Sequence, residues 1–224
     1  MDDQAWLERT FGCRLDSDAL LEQALSHRSV GRRNNERLEF LGDAVLSFVI
    51  SEELYRRFPD ADEGQLSRLR VSLVKGSALA RVSRSHDLGA HLRLGTGERS
   101  GGGRQRSSIL ADTLEALLGA IVIDRGVEAV RAAVRQVFAE QLSSLRLEQA
   151  QKDPKTRLQE FLQARQRPLP NYEELRVSGA DHARTFTVRC FLSDQSIDAE
   201  GEGSSRRAAE QAAAQQMLQR LEKP

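Results

Sequence analysis

The chain has 224 residues, a formal net charge of zero and only two cysteines. The length fits one large domain or two smaller ones, and the charge balance leaves any nucleic-acid affinity to a local patch, not to the overall field. Cys13 and Cys190 lie far apart without CxxC partners, which excludes a cysteine-built metal site or disulfide framework; no apolar run nears the ~18 residues of a bilayer span, and the opening MDDQAWLERTFG has no secretory or transit signature, so a reducing cytoplasm without membrane attachment is expected.

Asp16 or Ser17 can cap a short helix over DSDALLEQALSH. Asn34 or Asn35 precedes the long helical pattern ERLEFLGDAVLSFVISEELYRRF, stopped by Pro59. The spacing predicts one helix over EGQLSRLRVSLVKGSALARVSRSHD, a glycine-rich loop from Gly89 to Gly103, a helix over SSILADTLEALLGAIVIDRG closed by Gly126, and another over VEAVRAAVRQVFAEQLSSL. Strand alternation is missing throughout this part. The character changes near RLEQAQKDP, where Pro154 suits the first turn of a new helix. KTRLQEFLQARQ continues as helix, NYEELRVSG and ARTFTVRCFL alternate as strands around GADH, SIDAEGEG is a weaker strand, and SSRRAAEQAAAQQMLQRLEK is an alanine-rich helix capped by Ser204 or Ser205. The expected fold is therefore multidomain: an all-α domain over 1–147, a linker over 148–153, and an α+β domain of order α-β-β-β-α over 154–222.

An α-helix advances about 100° per residue. On that wheel Glu36, Glu39 and Asp43 share a narrow arc, with Leu38, Leu41, Val45, Phe48 and Val49 roughly opposite. Carboxylates four apart are neighbours and repel. A second helix repeats the device: Asp112 and Glu115 are three apart and share a face, and the stretch from Ile109 to Val122 has no other acid. Gly42 and Gly119 would let helices or a substrate approach closely. Spacing alone is compatible with two solvated amphipathic faces or with a site for a hard divalent cation such as Mg²⁺. His27, His86, His91 and His182 form no consistent acid–base pair in sequence.

The motifs ERLEFLGD (36–43), ALSHRS (24–29), FPDADEGQLSRLR (58–70) and LGTGERSGGGRQRSSILADTLEALLGA (94–120) resemble the nuclease domain of the ribonuclease III family. The part from KTRLQEFLQ onward resembles that family's double-stranded-RNA-binding domain, so the resemblance covers nearly the whole chain in the bacterial arrangement. It implies Glu39, Asp43, Asp112 and Glu115 as ligands of Mg²⁺, with Mn²⁺ as a substitute, and Asp43 and Glu115 as the catalytic pair. It implies an all-helical homodimer that hydrolyses double-stranded RNA to 5′-phosphate and 3′-hydroxyl ends with short 3′ overhangs, on ribosomal RNA precursors and structured messenger RNAs. Glu36 and Glu63 are expected on the signature or substrate side and not as ligands.

For RNA contact in the second domain, Thr156, Gln159 and Glu160 share the polar side of its first helix, His182 lies near the tip of GADH, and Arg206 and Arg207 open the last helix. A helix N-terminus presents free N–H groups that favour phosphate, and arginines add charge-assisted donors. The family's modules place such a helix and loop in successive minor grooves and the arginines on the phosphates between. In the first domain, Arg28, Arg32, Arg33 and the arginines of RSGGGRQR flank the acids. The rivals are a non-catalytic relative that has lost the acids, against which the four retained carboxylates argue, and an unrelated helical regulator with an RNA-binding tail.

Overall fold

From Ile109 to Ile121 every residue except Asp112 and Glu115 is buried. A helix apolar nearly all round must run through the middle of its domain, and this one does. The structure, a computed structural model, describes residues 2–150, 152–180, 183–194 and 197–222. The chain divides into two compact units, Met1–Ala150 and Gln151–Pro224.

The first unit holds α1 (Asp3–Phe11), α2 (Asp18–Ala24), α3 (Glu36–Arg57), α4 (Glu63–Val74), α5 (Gly76–Ser85), α6 (Leu88–His91), α7 (Thr96–Ser100), α8 (Ser107–Val137) and α9 (Ala139–Ser144), with 3₁₀ turns at Arg28–Val30, Gly103–Gln105 and Leu147–Ala150. Helices α1, α2, α3 and α5 pack around α8. Its core includes Leu7, Phe11, Leu46, Ile50, Leu79, Leu114, Leu117 and Phe138. Gly126 takes φ 81°, a left-handed value that suits glycine, and kinks α8 where the sequence predicts a helix end.

The α3–α8 crossing is the closest in the unit. A Cβ on Gly42 would run into the backbone carbonyl of Glu115, and one on Gly119 into the carbonyl of Leu38. The two helices thus meet backbone to backbone. The face of α3 turned inward carries Leu38, Gly42, Leu46, Val49, Ile50 and Leu54. This corrects the wheel: Phe48, on its apolar arc, is 52% exposed, while Glu39 sits on the edge of the inward face. Hydropathy assigns the largest side chains to the core, whereas the close helix contact is made where side chains are smallest.

Two other expectations change. The single helix predicted from Glu63 to Asp87 is two, because Lys75 is extended (φ −63°, ψ 144°); the corner lets Leu69, Leu73 and Leu79 all enter one core. The predicted loop from Gly89 to Gly103 is largely helical, and Arg104 ties it down by donating to the carbonyls of Gly89 at 2.6 Å and Ala90 at 2.7 Å. The N-terminal stretch forms α1, capped by Asp2 and ended by Gly12 in the left-handed region. Its Trp6 is buried, stacks on His91 and donates from Nε1 to the His86 carbonyl at 2.9 Å.

The second unit runs α10 (Pro154–Gln163), β1 (Asn171–Ser178), β2 (Thr185–Phe191), β3 (Asp198–Gly203) and α11 (Arg206–Glu222). The strands form one antiparallel sheet of order β1-β2-β3, with a register irregularity between Glu174 and Arg176. Both helices pack with it around Leu158, Leu162, Cys190, Ala199, Ala213, Ala214, Met217 and Leu218. Any Cβ on Gly201 or Gly203 would strike the backbone of α11. That is why β3 reads weakly in sequence and why α11 is rich in alanine: the helix backbone itself lies on the strand.

Among the described residues no helix is long and apolar enough to cross a membrane. Gly42→Ala is expected to destabilise the first unit by about 3 kcal/mol, the upper range for overpacking. Gly76→Ala, where a Cβ meets open space, is the near-neutral control. Circular dichroism across a urea titration of both full-length variants measures the difference.

Candidate active site

The glycine crossing brings the acidic positions of two helices to one place. Glu39 from α3 and Asp112 and Glu115 from α8 each offer a carboxylate oxygen, and these lie within 4.8 Å of one another. All three are half-buried. Asp43, one turn beyond Glu39, is exposed and falls outside this tight group, yet its charge acts on Glu115.

The cluster is electrostatically loaded. Burial, and then the charges of Asp43, Asp112 and Glu39, push the Glu115 carboxyl up to about 8. Burial also raises Glu39, with Asp112, Glu36 and Asp43 adding repulsion. Asp112 is raised by burial and partly relieved by His27 and Arg28. An all-oxygen donor set carrying this much uncompensated repulsion suits a hard divalent cation, which would remove the repulsion.

A cavity of about 280 Å³ opens beside the acids, lined among others by His27, Arg28, Asn35, Glu98, Arg106 and Asp112. Arg106 donates to Glu98 at 2.8 Å. His27 is fixed by two neighbours: its N–H donates to the Arg93 carbonyl at 3.0 Å, and its Nδ1 accepts from the Ser29 N–H at 3.2 Å. Nothing local in the sequence marks His27 or Glu98; the bridge between Ser26 and Arg93, distant in sequence, and the bond from the Asn35 N–H to Ser26 bring the histidine to the acids. Glu36 lies at the rim, 3.9 Å from Arg28. Glu63 sits elsewhere, in a cavity of about 640 Å³ with Phe48, Tyr55, Leu66 and Arg70, where it accepts from Ser67 at 2.8 Å.

In the second unit a polar groove of about 550 Å³ runs between α10 and the start of α11. Thr156, Gln159, Arg206 and Arg207 line it, together with Lys155, which sequence analysis passed over. Asp153 caps α10 through the Thr156 N–H and accepts from Gln211 at 2.9 Å, joining the two helices. Ser205 caps α11 by accepting from the Ala208 N–H at 3.2 Å. Glu160 stands outside the groove and is engaged by Lys152 at 2.6 Å. His182 lies outside the described residues.

An all-helical unit with a crossed-helix carboxylate cluster, followed by an α-β-β-β-α unit with a polar groove at its helix ends, defines a hydrolase of the nuclease class joined to a nucleic-acid-binding module. The model of "Ribonuclease-III-like" proteins matches residues 17–142, and that of the "Double-stranded RNA binding motif" matches 154–221. A ribonuclease 3 of Alkalilimnicola ehrlichii is 55% identical over 96% of this chain and 95% of its own, and one of Hahella chejuensis is 55% identical over 95% and 94%. The crystal structure of the ribonuclease III nuclease domain from Campylobacter jejuni is 39% identical, covers 62% of this chain and 97% of its own, and superposes with a TM-score of 0.58. The chain belongs to the ribonuclease III family.

The raised Glu115 pKa has a definite pH signature. In the unfolded chain this carboxyl ionises near 4.5, and in the folded, metal-free protein near 8. The stability conferred by the retained proton is therefore complete below about 4.5 and lost as the pH rises through about 8. Glu115→Gln, which carries no charge, is expected to unfold at higher temperature than the parent in chelator at pH 8, with the gap shrinking towards pH 5. Differential scanning calorimetry across that range measures it.

Proposed function

We propose that the chain is a Mg²⁺-dependent endonuclease that cuts both strands of double-stranded RNA, leaving 5′-phosphate and 3′-hydroxyl ends with short 3′ overhangs. The observation that carries this reading is the convergence of Glu39, Asp112 and Glu115 within 4.8 Å. Asp43 completes the ligand set from the next turn of α3, and with Glu115 it is assigned the catalytic role. When bound, a divalent cation supplies charge neutralisation at the phosphodiester and polarises water for attack. The protein's own part is to hold the carboxylates close and ionised towards that cation, and to offer Arg28 and Arg106 at the mouth of the cavity as donors for neighbouring phosphates. Domain limits of 1–147 for the nuclease and 154–222 for the RNA-binding module complete the assignment.

In that module Thr156, Gln159, Glu160 and His182 are assigned to the minor groove. Arg206 and Arg207 at the N-terminus of α11 are assigned to phosphates. Recognition of this kind follows shape, which suits precursors of ribosomal RNA and structured messenger RNAs alike. A homodimer is supported by the apolar side chains that α3 leaves exposed, Phe40, Phe48 and Tyr55, and by the cavity with Glu63 beside them. Cys13 and Cys190 are both free, in keeping with a reducing cytoplasm.

Incubation of long double-stranded RNA with and without Mg²⁺, followed by end-group analysis, tests the reaction. Cleavage is expected only with the cation, and Glu115→Ala is expected to lose it by several orders of magnitude. Cyclic phosphate ends, or full activity in chelator, would overturn the reading. Arg206→Ala and Arg207→Ala are each expected to weaken RNA binding across sequences and to lower the salt slope of log K by about one, as read by filter binding at several ionic strengths.

A further inference from the structure

Asn35 is buried and stands at the N-cap of α3. Its backbone is already helical (φ −88°, ψ −8°) and its side chain makes no cap bond; the capping acceptor is the neighbouring Asn34, whose Oδ1 takes the N–H of Glu36 at 3.1 Å. Asn35 Nδ2 reaches across to α8 and donates to Thr113 Oγ1 at 3.3 Å. Thr113 is fully buried, and its hydroxyl donates in turn to the Ile109 carbonyl at 2.7 Å.

The place of this bond in the chain is informative. Thr113 follows Asp112 and precedes Glu115 by two residues. Asn35 lies one turn before Glu39 and accepts its N–H at 2.9 Å, while its own N–H donates to the Ser26 carbonyl at 2.9 Å, next to His27. Its side chain lines the cavity together with Glu39 and Asp112. One neutral, buried hydrogen bond therefore joins the two helices at the level where their carboxylates repel. A charged link would alter the field at the acids; an amide–hydroxyl link does not. Capping of α3 falls to Asn34, so the side chain of Asn35 serves the link to α8 and not the end of its own helix. Cation binding, by contrast, needs carboxylates held in tight geometry by the groups behind them.

We propose that Asn35 and Thr113 are positioning residues: their hydrogen bond sets Glu39 against Asp112 and Glu115 and so tunes the affinity of the site for a divalent cation. The proposal rests on reading those acids as the metal site. Full-length Thr113→Val, Thr113→Ser and Asn35→Ser test it. Mg²⁺ is titrated into each RNA-free protein by calorimetry, and the Mg²⁺ midpoint of double-stranded-RNA cleavage and the Tm in chelator are recorded beside it. Thr113→Val is expected to bind Mg²⁺ about 10-fold more weakly, with cleavage recovering at saturating Mg²⁺. Thr113→Ser is expected to stay within about 2-fold of the parent, because it keeps the hydroxyl. Asn35→Ser removes the bond from the other side, and its Mg²⁺ affinity should fall about as far as that of Thr113→Val, whatever its loss in Tm. Recovery of full cleavage at saturating Mg²⁺, with affinity kept in Thr113→Ser, would not arise from a merely structural role. Unchanged Mg²⁺ affinity in Asn35→Ser and Thr113→Val, beside a parent that binds and cuts, would overturn the proposal alone. A parent that neither binds Mg²⁺ nor cuts would overturn the metal reading and the proposal with it.

Discussion

The first unit depends on two helices touching at their backbones. Gly42 and Gly119 remove the side chains that normally hold helix axes 8–10 Å apart, and each lies against the other helix's main chain. Everything at the acidic cluster follows from that approach. Carboxylates on two separate helices come within 4.8 Å only because no Cβ intervenes one turn away. The glycines are unfavourable in a helix by themselves, at about 1 kcal/mol each relative to alanine. The burial of α8 on nearly all sides offsets that cost, since the core packed around it is large.

The same approach creates the site's electrical character. Bringing acids together in a half-buried place raises their proton affinity, Glu115 above all. Burial and repulsion thus favour a retained proton at Glu115, and a cation held by these carboxylates would displace it. The cavity next to the acids is not uniformly acidic, because Arg28, Arg106 and His27 reach it from segments distant in sequence. Repulsion at the centre of the site thus stands beside cationic donors at its mouth.

Much of this was legible in the sequence, and the exceptions share a cause. Helix periodicity located α3 and α8, and the isolated acids of α8 stood out because their neighbours are all apolar. The three-strand unit and its closing helix were readable from alternation and caps. What escaped were features set by partners far along the chain. The extended Lys75 that splits α4 from α5 breaks no local pattern. The segment after Gly89 looked loose because its glycines are local, while Arg104, which holds it, acts through a side chain. Phe48 was assigned inward because it is large and apolar, yet the inward face is set by Gly42. Asp43 matched the family motif but stands outside the tightest group. Asn34 and Asn35 looked interchangeable ahead of α3, yet Asn34 takes the Glu36 N–H while the side chain of Asn35 crosses to Thr113.

In the second unit, α11 lies directly on the glycines of β3, with no side-chain layer between. Side-chain layers are compliant: rotamers shift, and a helix resting on them can slide by a fraction of an ångström. Backbone resting on backbone has no such slack. The sheet therefore acts as a fixed rest for α11, and the position of Arg206 and Arg207 at its start is fixed by the depth of two glycine notches. The distance from those arginines to Thr156 and Gln159 on α10 becomes a length built into the fold, set by backbone contact and not by the rotamers of intervening side chains.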